Sequence, residues 1–159
     1  MRISFDVDDT LVCGPDVPVE QYVPWWLRHW FPERLRRGTR ALMCELLARD
    51  CQFWIYTTSY RSPRYLRWWF RSFGIPIYDV VNQDLHERVV PRHHPVHYPP
   101  TKYPPAFGID LHIDDSEGVA IEGKRFHFDV LVVSPSDPDW VACVLAAVEA
   151  RSSLPARRE

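Results

Sequence analysis

Two acidic clusters stand where carboxylates are least expected, at the ends of apolar runs. Ile3, Ser4 and Phe5 lead into Asp6, Asp8 and Asp9, and Phe107 to Ile113 (FGIDLHI) leads into Asp114 and Asp115. Like charges this close repel and raise one another's pKa. A divalent cation, protonation of one member, or exposure to water at a strand end would relieve the repulsion. Asp6 and Asp8 are two positions apart, so on an ideal strand both side chains point to one face. Such a pair suits a hard, oxygen-ligated metal beside a carboxylate nucleophile. If the two runs are adjacent parallel strands, Asp6, Asp8, Asp114 and Asp115 meet at their carboxyl ends, where such sheets bind ligands.

Two further features fall between the acidic clusters. The apolar run Cys51 to Tyr56 (CQFWIY) ends in Thr57, Thr58 and Ser59, and Lys102, the only lysine before residue 124, precedes Asp114 by twelve residues. Taken in order, the strand with Asp-x-Asp-x-Thr-Leu (Asp6 to Leu11), Thr57, Lys102 and the pair Asp114-Asp115 resemble the four motifs of the haloacid dehalogenase (HAD) superfamily. The resemblance spans roughly residues 2 to 150. It implies an α/β, HAD-like Rossmannoid three-layer sandwich around a central parallel five-stranded sheet of order 5-4-1-2-3. It also implies a Mg²⁺-dependent phosphoester hydrolase, that is a phosphatase, working through an aspartyl-phosphate.

Under that resemblance Asp6 is the nucleophile and Asp8 the general acid/base. Thr57, with Thr58 beside it, and Lys102 bind the phosphoryl group, while Asp6, Asp8, Asp114 and Asp115 hold Mg²⁺, with Asp115 the expected direct ligand of the last pair. An Asp at the position of Asp8 points to phosphatase or phosphotransferase activity, because the dehalogenases, phosphonatases and P-type ATPases of the superfamily lack it. Thr10 is expected to fix the turn, and Asp9 stands where many relatives have Gly. The family's large cap domains are inserted between these motifs. Here the gaps 12–50 and 59–101 are consumed by core elements, so a minimal-cap member is expected, acting on a phosphorylated macromolecule or a nucleotide-type small molecule. The alternative is a nucleic-acid-binding or scaffold protein on the same fold with little or no catalysis.

The elements that must position these residues follow from periodicity. Cys13 to Pro24 reads as a loop, and there the resemblance implies a β-hairpin flap, for which Val17 to Tyr22 suits one strand. Trp25, Trp26, Trp30 and Phe31 suit a short helix covering the core, or a lid wall with rings available for stacking. Leu35, Thr39, Leu42 and Leu46 share a helix face within 33–50, with Gly38 placing the regular start near Thr39. Ser62-Pro63 starts a helix that Gly74 stops. A third strand is expected over Ile75 to Val81 and a loop over Asn82 to Pro105. His86, His93, His94 and His97 would line that loop at the rim of the site. A fourth strand is expected over Phe107 to Ile113, a turn-rich connector with room for a short helical turn over Ser116 to Arg125, a fifth strand over Phe126 to Val133, and a last helix with Trp140, Val141, Val144, Leu145 and Val148 on its apolar positions.

Bulk properties bound the rest. The 159 residues, 46% hydrophobic and 25% charged, suit one domain, 1–151, with a polar tail at 152–159. With a net charge of −2 and a pI near 6.4, the whole molecule is not a general binder of polyanions. The charge is unevenly spread, with ten arginines against three acids between residues 21 and 75 and nine basic against eighteen acidic residues elsewhere. Arg64, Arg67 and Arg71 form a basic stripe, read first as a solvated face and otherwise as a contact for a nucleic acid or nucleotide. Cys13, Cys44, Cys51 and Cys143 lack CxxC spacing and suit reduced thiols of a cytoplasmic protein. No apolar run approaches a membrane span, and an oligomer is compatible with an open site.

Overall fold

A computed structural model describes residues 1–21, 29–93 and 99–153. Its centre is a parallel sheet of β1 (Arg2–Phe5), β2 (Gln52–Tyr56), β3 (Asp79–Val81), β4 (Leu111–Asp114) and β5 (Val130–Val132). The strand order is β3-β2-β1-β4-β5, which is the expected order read from the other edge. Every neighbouring pair is parallel, and β1 takes Ser4 opposite both Trp54 and His112. The helices are α1 (Thr39–Ala48), α2 (Pro63–Ser72), α3 (Gln83–His93), α4 (Glu117–Phe126) and α5 (Trp140–Ser152), with a 3₁₀ turn at Pro104–Phe107.

Alternation along the strands gives the sheet two unlike faces. Ile3, Phe5, Phe53 and Ile55 join Leu42 and Leu46 of α1, Leu66, Trp69 and Phe70 of α2, and Trp140, Val144 and Val148 of α5 in the main core. The rings of Phe5, Phe53 and Phe70 pack edge to face there. The opposite face has a small apolar cluster of Trp54, Tyr56, Val81 and Ile109 with Leu85 and Phe107. It also carries buried polar residues, Ser4 and His112 among them. A parallel strand covered on both sides is normally continuous in apolar residues, so this polar face asks for a hydrogen-bonding explanation.

Several elements differ from their sequence expectation. Residues 83–93 form α3 instead of a loop, with Pro91 inside it and buried Asn82 receiving the Leu85 N–H on its side-chain oxygen at 3.1 Å, as an N-cap does. Residues 117–126 form the ten-residue α4 instead of a turn-rich connector. The third, fourth and fifth strands are shorter than their apolar runs, since Ile75, Phe107 and Phe128 spend their hydrophobicity packing beside the sheet. In place of a flap strand over Val17 to Tyr22 there is an isolated antiparallel bridge between Val19 and Arg36, matched by one between Val12 and Leu35. Trp30 is 71% exposed and covers no core. The expectations for Tyr22, Trp25 and Trp26, for His94, His97 and the side chain of His93, and for most of the polar tail lie outside the described residues. The four cysteines are free thiols, and Cys44 and Cys143 are exposed on their helices.

One buried cation ties the chain between β1 and α1 to the far end of the sequence. Arg36 donates to the carbonyl oxygens of Thr10 (3.3 Å), Ser134 and Asp137 (2.8 Å each), and its guanidinium stacks 4.5 Å from the Trp140 ring. Next to it, Gly38 opens α1 at φ +92°, and a Cβ there would lie 2.8 Å from Val141 Cγ2. Gly38→Ala should therefore cost about 1–2 kcal/mol, seen in thermal unfolding as a Tm lower by about 2–8 °C. An unchanged Tm would show that the turn relaxes without cost.

Candidate active site

The C-terminal ends of β1 and β4 open into a cleft of about 360 Å³. Asp6, Asp8, Asp9, Asp114 and Asp115 line it together with Thr58 and Lys102. The sequence-predicted acidic clusters are thus brought together, because β1 and β4 are hydrogen-bonded neighbours and Asp6 N–H donates to Ile113 O at 2.9 Å. Thr57 is buried behind Thr58. Its Oγ1 donates to Ser59 Oγ and accepts the Ser59 N–H, both at 3.1 Å, so this hydroxyl fixes the turn while Thr58 meets the cleft.

Lys102 is 3% exposed, and its Nζ donates to Asp6 Oδ1 and to Asp114 Oδ2, both at 2.6 Å. The two carboxylates tolerate each other because one ammonium stands between them. Burial pushes Asp6 up from 3.8 to about 6, against the lowering effect of Lys102. Burial also acts on Asp114, but the bond from His112 and the Lys102 charge prevail and hold its carboxyl well below the usual carboxylate range. Asp114 accepts three donors in all, Lys102 Nζ, His112 Nε2 at 2.8 Å and Ser116 N–H at 2.9 Å. Asp115 accepts Thr10 Oγ1 at 3.4 Å, and burial and the neighbouring Asp114 push its carboxyl up.

The polar face of the sheet supports this pairing. His112 is fully buried, and burial lowers its pKa from 6.5 to about 4, so the ring is neutral at pH 7. An ionised Asp114 only accepts, so Nε2 carries the proton, and Nδ1 is left to accept Ser4 Oγ–H at 2.8 Å. A chain of bonds runs from Ser4 through His112, Asp114 and Lys102 to Asp6. Sequence reasoning passed over His112 and Ser4. The available signal was a His and a Ser inside two apolar runs that pair in register.

A second buried pair locates Lys102, which no helix carries. Tyr56 Oη accepts the Tyr103 N–H at 2.8 Å and lies 2.7 Å from His86 Nδ1. Burial raises the Tyr56 pKa and lowers that of His86, so the phenol stays protonated and donates to a neutral ring. His86 is therefore a buried member of α3 and not a rim histidine. On the other side, Glu122 of α4 accepts Thr101 N–H and Oγ1 at 2.9 and 2.6 Å.

Asp8 and Asp9 are exposed. Asp9 takes φ +58°, a left-handed conformation that Asp tolerates and Gly prefers. Both oxygens of Asp8 accept from Arg61, at 2.7 and 2.8 Å. Arg64, Arg67 and Arg71 are exposed on α2, apart from the cleft-lining residues, and Arg67 pairs with Asp79. Among the described residues, no three His, Cys, Asp or Glu side chains form a group that could hold a metal ion as they stand. The donor chemistry nevertheless suits a hard divalent cation such as Mg²⁺, since carboxylate oxygens dominate the cleft and outnumber its one lysine.

No family model matches the chain, and no curated protein does. Solved structures are similar to it, two of them as follows. A hypothetical protein from Pyrococcus horikoshii OT3 shares 18% identity over 82% of this chain at a TM-score of 0.40, and this chain spans 40% of that protein's length. A predicted HAD-like family hydrolase from Porphyromonas gingivalis shares 10% identity, with 92% of this chain and 97% of that one covered, at a TM-score of 0.47.

The raised pKa of Asp6 makes stability depend on pH. Between 3.8 and about 6 the folded chain binds more protons than the unfolded chain. The contribution of protonated Asp6 is fully present below 3.8 and is lost as pH rises through about 6. The depressed Asp114 works the other way and acts only below its ordinary pKa. Urea unfolding in EDTA should show stability falling across the upper window, by about 3 kcal/mol for this group, and Asp6→Asn should flatten the slope. A slope unchanged in Asp6→Asn would assign it to another residue.

Proposed function

We propose that this chain is a Mg²⁺-dependent phosphoester hydrolase of the HAD type, acting through an aspartyl-phosphate on Asp6. The supporting observation is the placement of Asp6, buried at the end of the central strand against Lys102 and Asp114, with the exposed Asp8 lining the same cleft. A carboxylate pKa near 6 leaves Asp6 ionised at neutral pH, as a nucleophile must be.

In the first step an Asp6 oxygen forms a bond to phosphorus in line with the leaving group. The bond from phosphorus to the leaving oxygen breaks, and Asp8 gives that oxygen its proton. In the second step Asp8 takes a proton from water as the water oxygen attacks phosphorus, and the Asp6 carboxylate departs with phosphate released. Lys102 offsets the charge that gathers on the transferred group, and the Thr58 side of the β2 turn, braced by Thr57, meets its oxygens. Asp6, Asp8, Asp114 and Asp115 would hold Mg²⁺, which supplies positive charge to the phosphoryl oxygens. Asp114 already accepts three donors, so Asp115 has the greater free acceptor capacity of that pair.

The proposal is checked by hydrolysis of a generic aryl phosphate. Release should require Mg²⁺, stop in EDTA and resume on re-addition, and Asp6→Asn should lower kcat by about 10³-fold or more. A fully active Asp6→Asn would overturn it.

One observation favours a second reading. Trp68 is 57% exposed on α2 between the exposed Arg64 and Arg71, an arrangement of ring and cations that suits single-stranded nucleic acid. Oligonucleotide binding that weakens with salt and with charge removal at Arg64, Arg67 and Arg71 would support it. Absence of binding at low salt would dismiss it.

A further inference from the structure

Arg61 belongs to none of the motifs that point to catalysis, yet it makes the closest contacts to Asp8. It lies between the β2 turn and Ser62, the N-cap of α2. Its Nη1 and Nη2 donate to the two Asp8 oxygens at 2.7 and 2.8 Å, a two-bond fork, and its Nε reaches Glu33 Oε1 at 3.4 Å. Glu33 is held in turn by the Tyr65 hydroxyl. The Arg61 backbone is pinned as well, since its carbonyl accepts the side-chain amide of buried Asn82 at 3.2 Å.

This arrangement is at odds with an Asp8 that exchanges protons with a leaving group, because both of its oxygens are engaged. The engagement is easily given up. The side chains are 26% (Arg61) and 52% (Asp8) exposed, and ion pairs in that setting are weak and exchange readily. Glu33, 20% exposed, keeps the guanidinium near the cleft when Asp8 is released. The planar fork that fits a carboxylate fits any oxyanion of the same shape. Lys102 cannot take that role for the substrate's outer part, being buried with its ammonium committed to Asp6 and Asp114.

Resting on the assignment of Asp8 as proton donor to the leaving oxygen, we infer that Arg61 is a specificity residue that binds a second anionic group carried by the leaving part of the substrate. Asp8 faces the leaving oxygen, and Arg61 stands one hydrogen bond further out, so it meets an anion attached two or three bonds beyond that oxygen. The anion takes over the fork now held by Asp8 and frees Asp8 for proton transfer. The favoured substrates are then phosphomonoesters whose leaving group bears a carboxylate or another phosphate. Simple neutral esters lack the group that releases Asp8.

Three congeners test this, namely ethyl phosphate, phosphoglycolate and ethane-1,2-diyl bisphosphate, each measured with Mg²⁺ for turnover and, on Asp6→Asn protein, for binding by calorimetry. Phosphoglycolate or the bisphosphate should bind and turn over with an advantage of about tenfold or more over ethyl phosphate. The better of the two identifies the anion as carboxylate or phosphate. Arg61→Gln should erase the advantage and Arg61→Lys should restore part of it. An advantage that survives Arg61→Gln, or no advantage in the parent protein, overturns the inference even if hydrolysis is robust. Absence of turnover with every congener strikes the hydrolase proposal instead, and the Arg61-dependence of binding then still decides whether the second anion is recognised.

Discussion

A single ammonium group between two buried carboxylates is the constraint around which the cleft is built. Without Lys102, Asp6 and Asp114 would face each other at the ends of adjacent strands with little water to separate their charges. With it, the two become unequal. Asp114 collects two further donors and stays ionised, whereas Asp6 keeps one strong partner and sits near the edge of ionisation. Two buried carboxylates thus differ in basicity, with burial prevailing at Asp6 and the bond from His112 and the Lys102 charge prevailing at Asp114.

The two faces of the sheet divide the labour. One is a conventional apolar core of aromatic and aliphatic side chains from α1, α2 and α5. The other gives up part of its hydrophobic burial to a buried polar chain from Ser4 to Asp6 and a second pair, Tyr56 with His86. Each member of these chains is satisfied, as burial demands. Together with the Glu122 contacts they give a loop without regular structure a defined place for its lysine.

The parts of this organisation that were legible in the sequence are those with a local signature. An apolar run ending in carboxylates marked β1 and β4, Ser62-Pro63 and Gly74 marked α2, and the alternation of strand and helix pointed to a parallel sheet, whose strand order was what the family resemblance implied. Elsewhere composition misled. Six prolines between residues 91 and 105 suggested a loop over a region whose first half is largely α3, since Pro91 falls near the end of the helix, where a lost hydrogen bond matters little. The glycines of α4 hid a helix in which Gly123 is needed for close packing, a Cβ there lying 2.8 Å from the Phe128 carbonyl. His112 and Arg61 left no motif to read. One becomes meaningful only when β1 and β4 pair, the other only when the β2 turn meets the β1 turn.

The order in which the chain is made gives the central strand an unusual history. β1 is synthesised first, yet both of its neighbours, β2 and β4, come later, the second more than a hundred residues on. Asp6 is buried against a lysine 96 positions away, and Arg36 closes over the Thr10 carbonyl by holding two others 98 and 101 residues beyond itself. A growing chain therefore carries Asp8 without Arg61 for 53 residues and Asp6 without Lys102 for 96. Contacts of such long sequence separation are slow to form. The cleft is thus completed from both ends of a long stretch of chain, and its central strand is the part that waits.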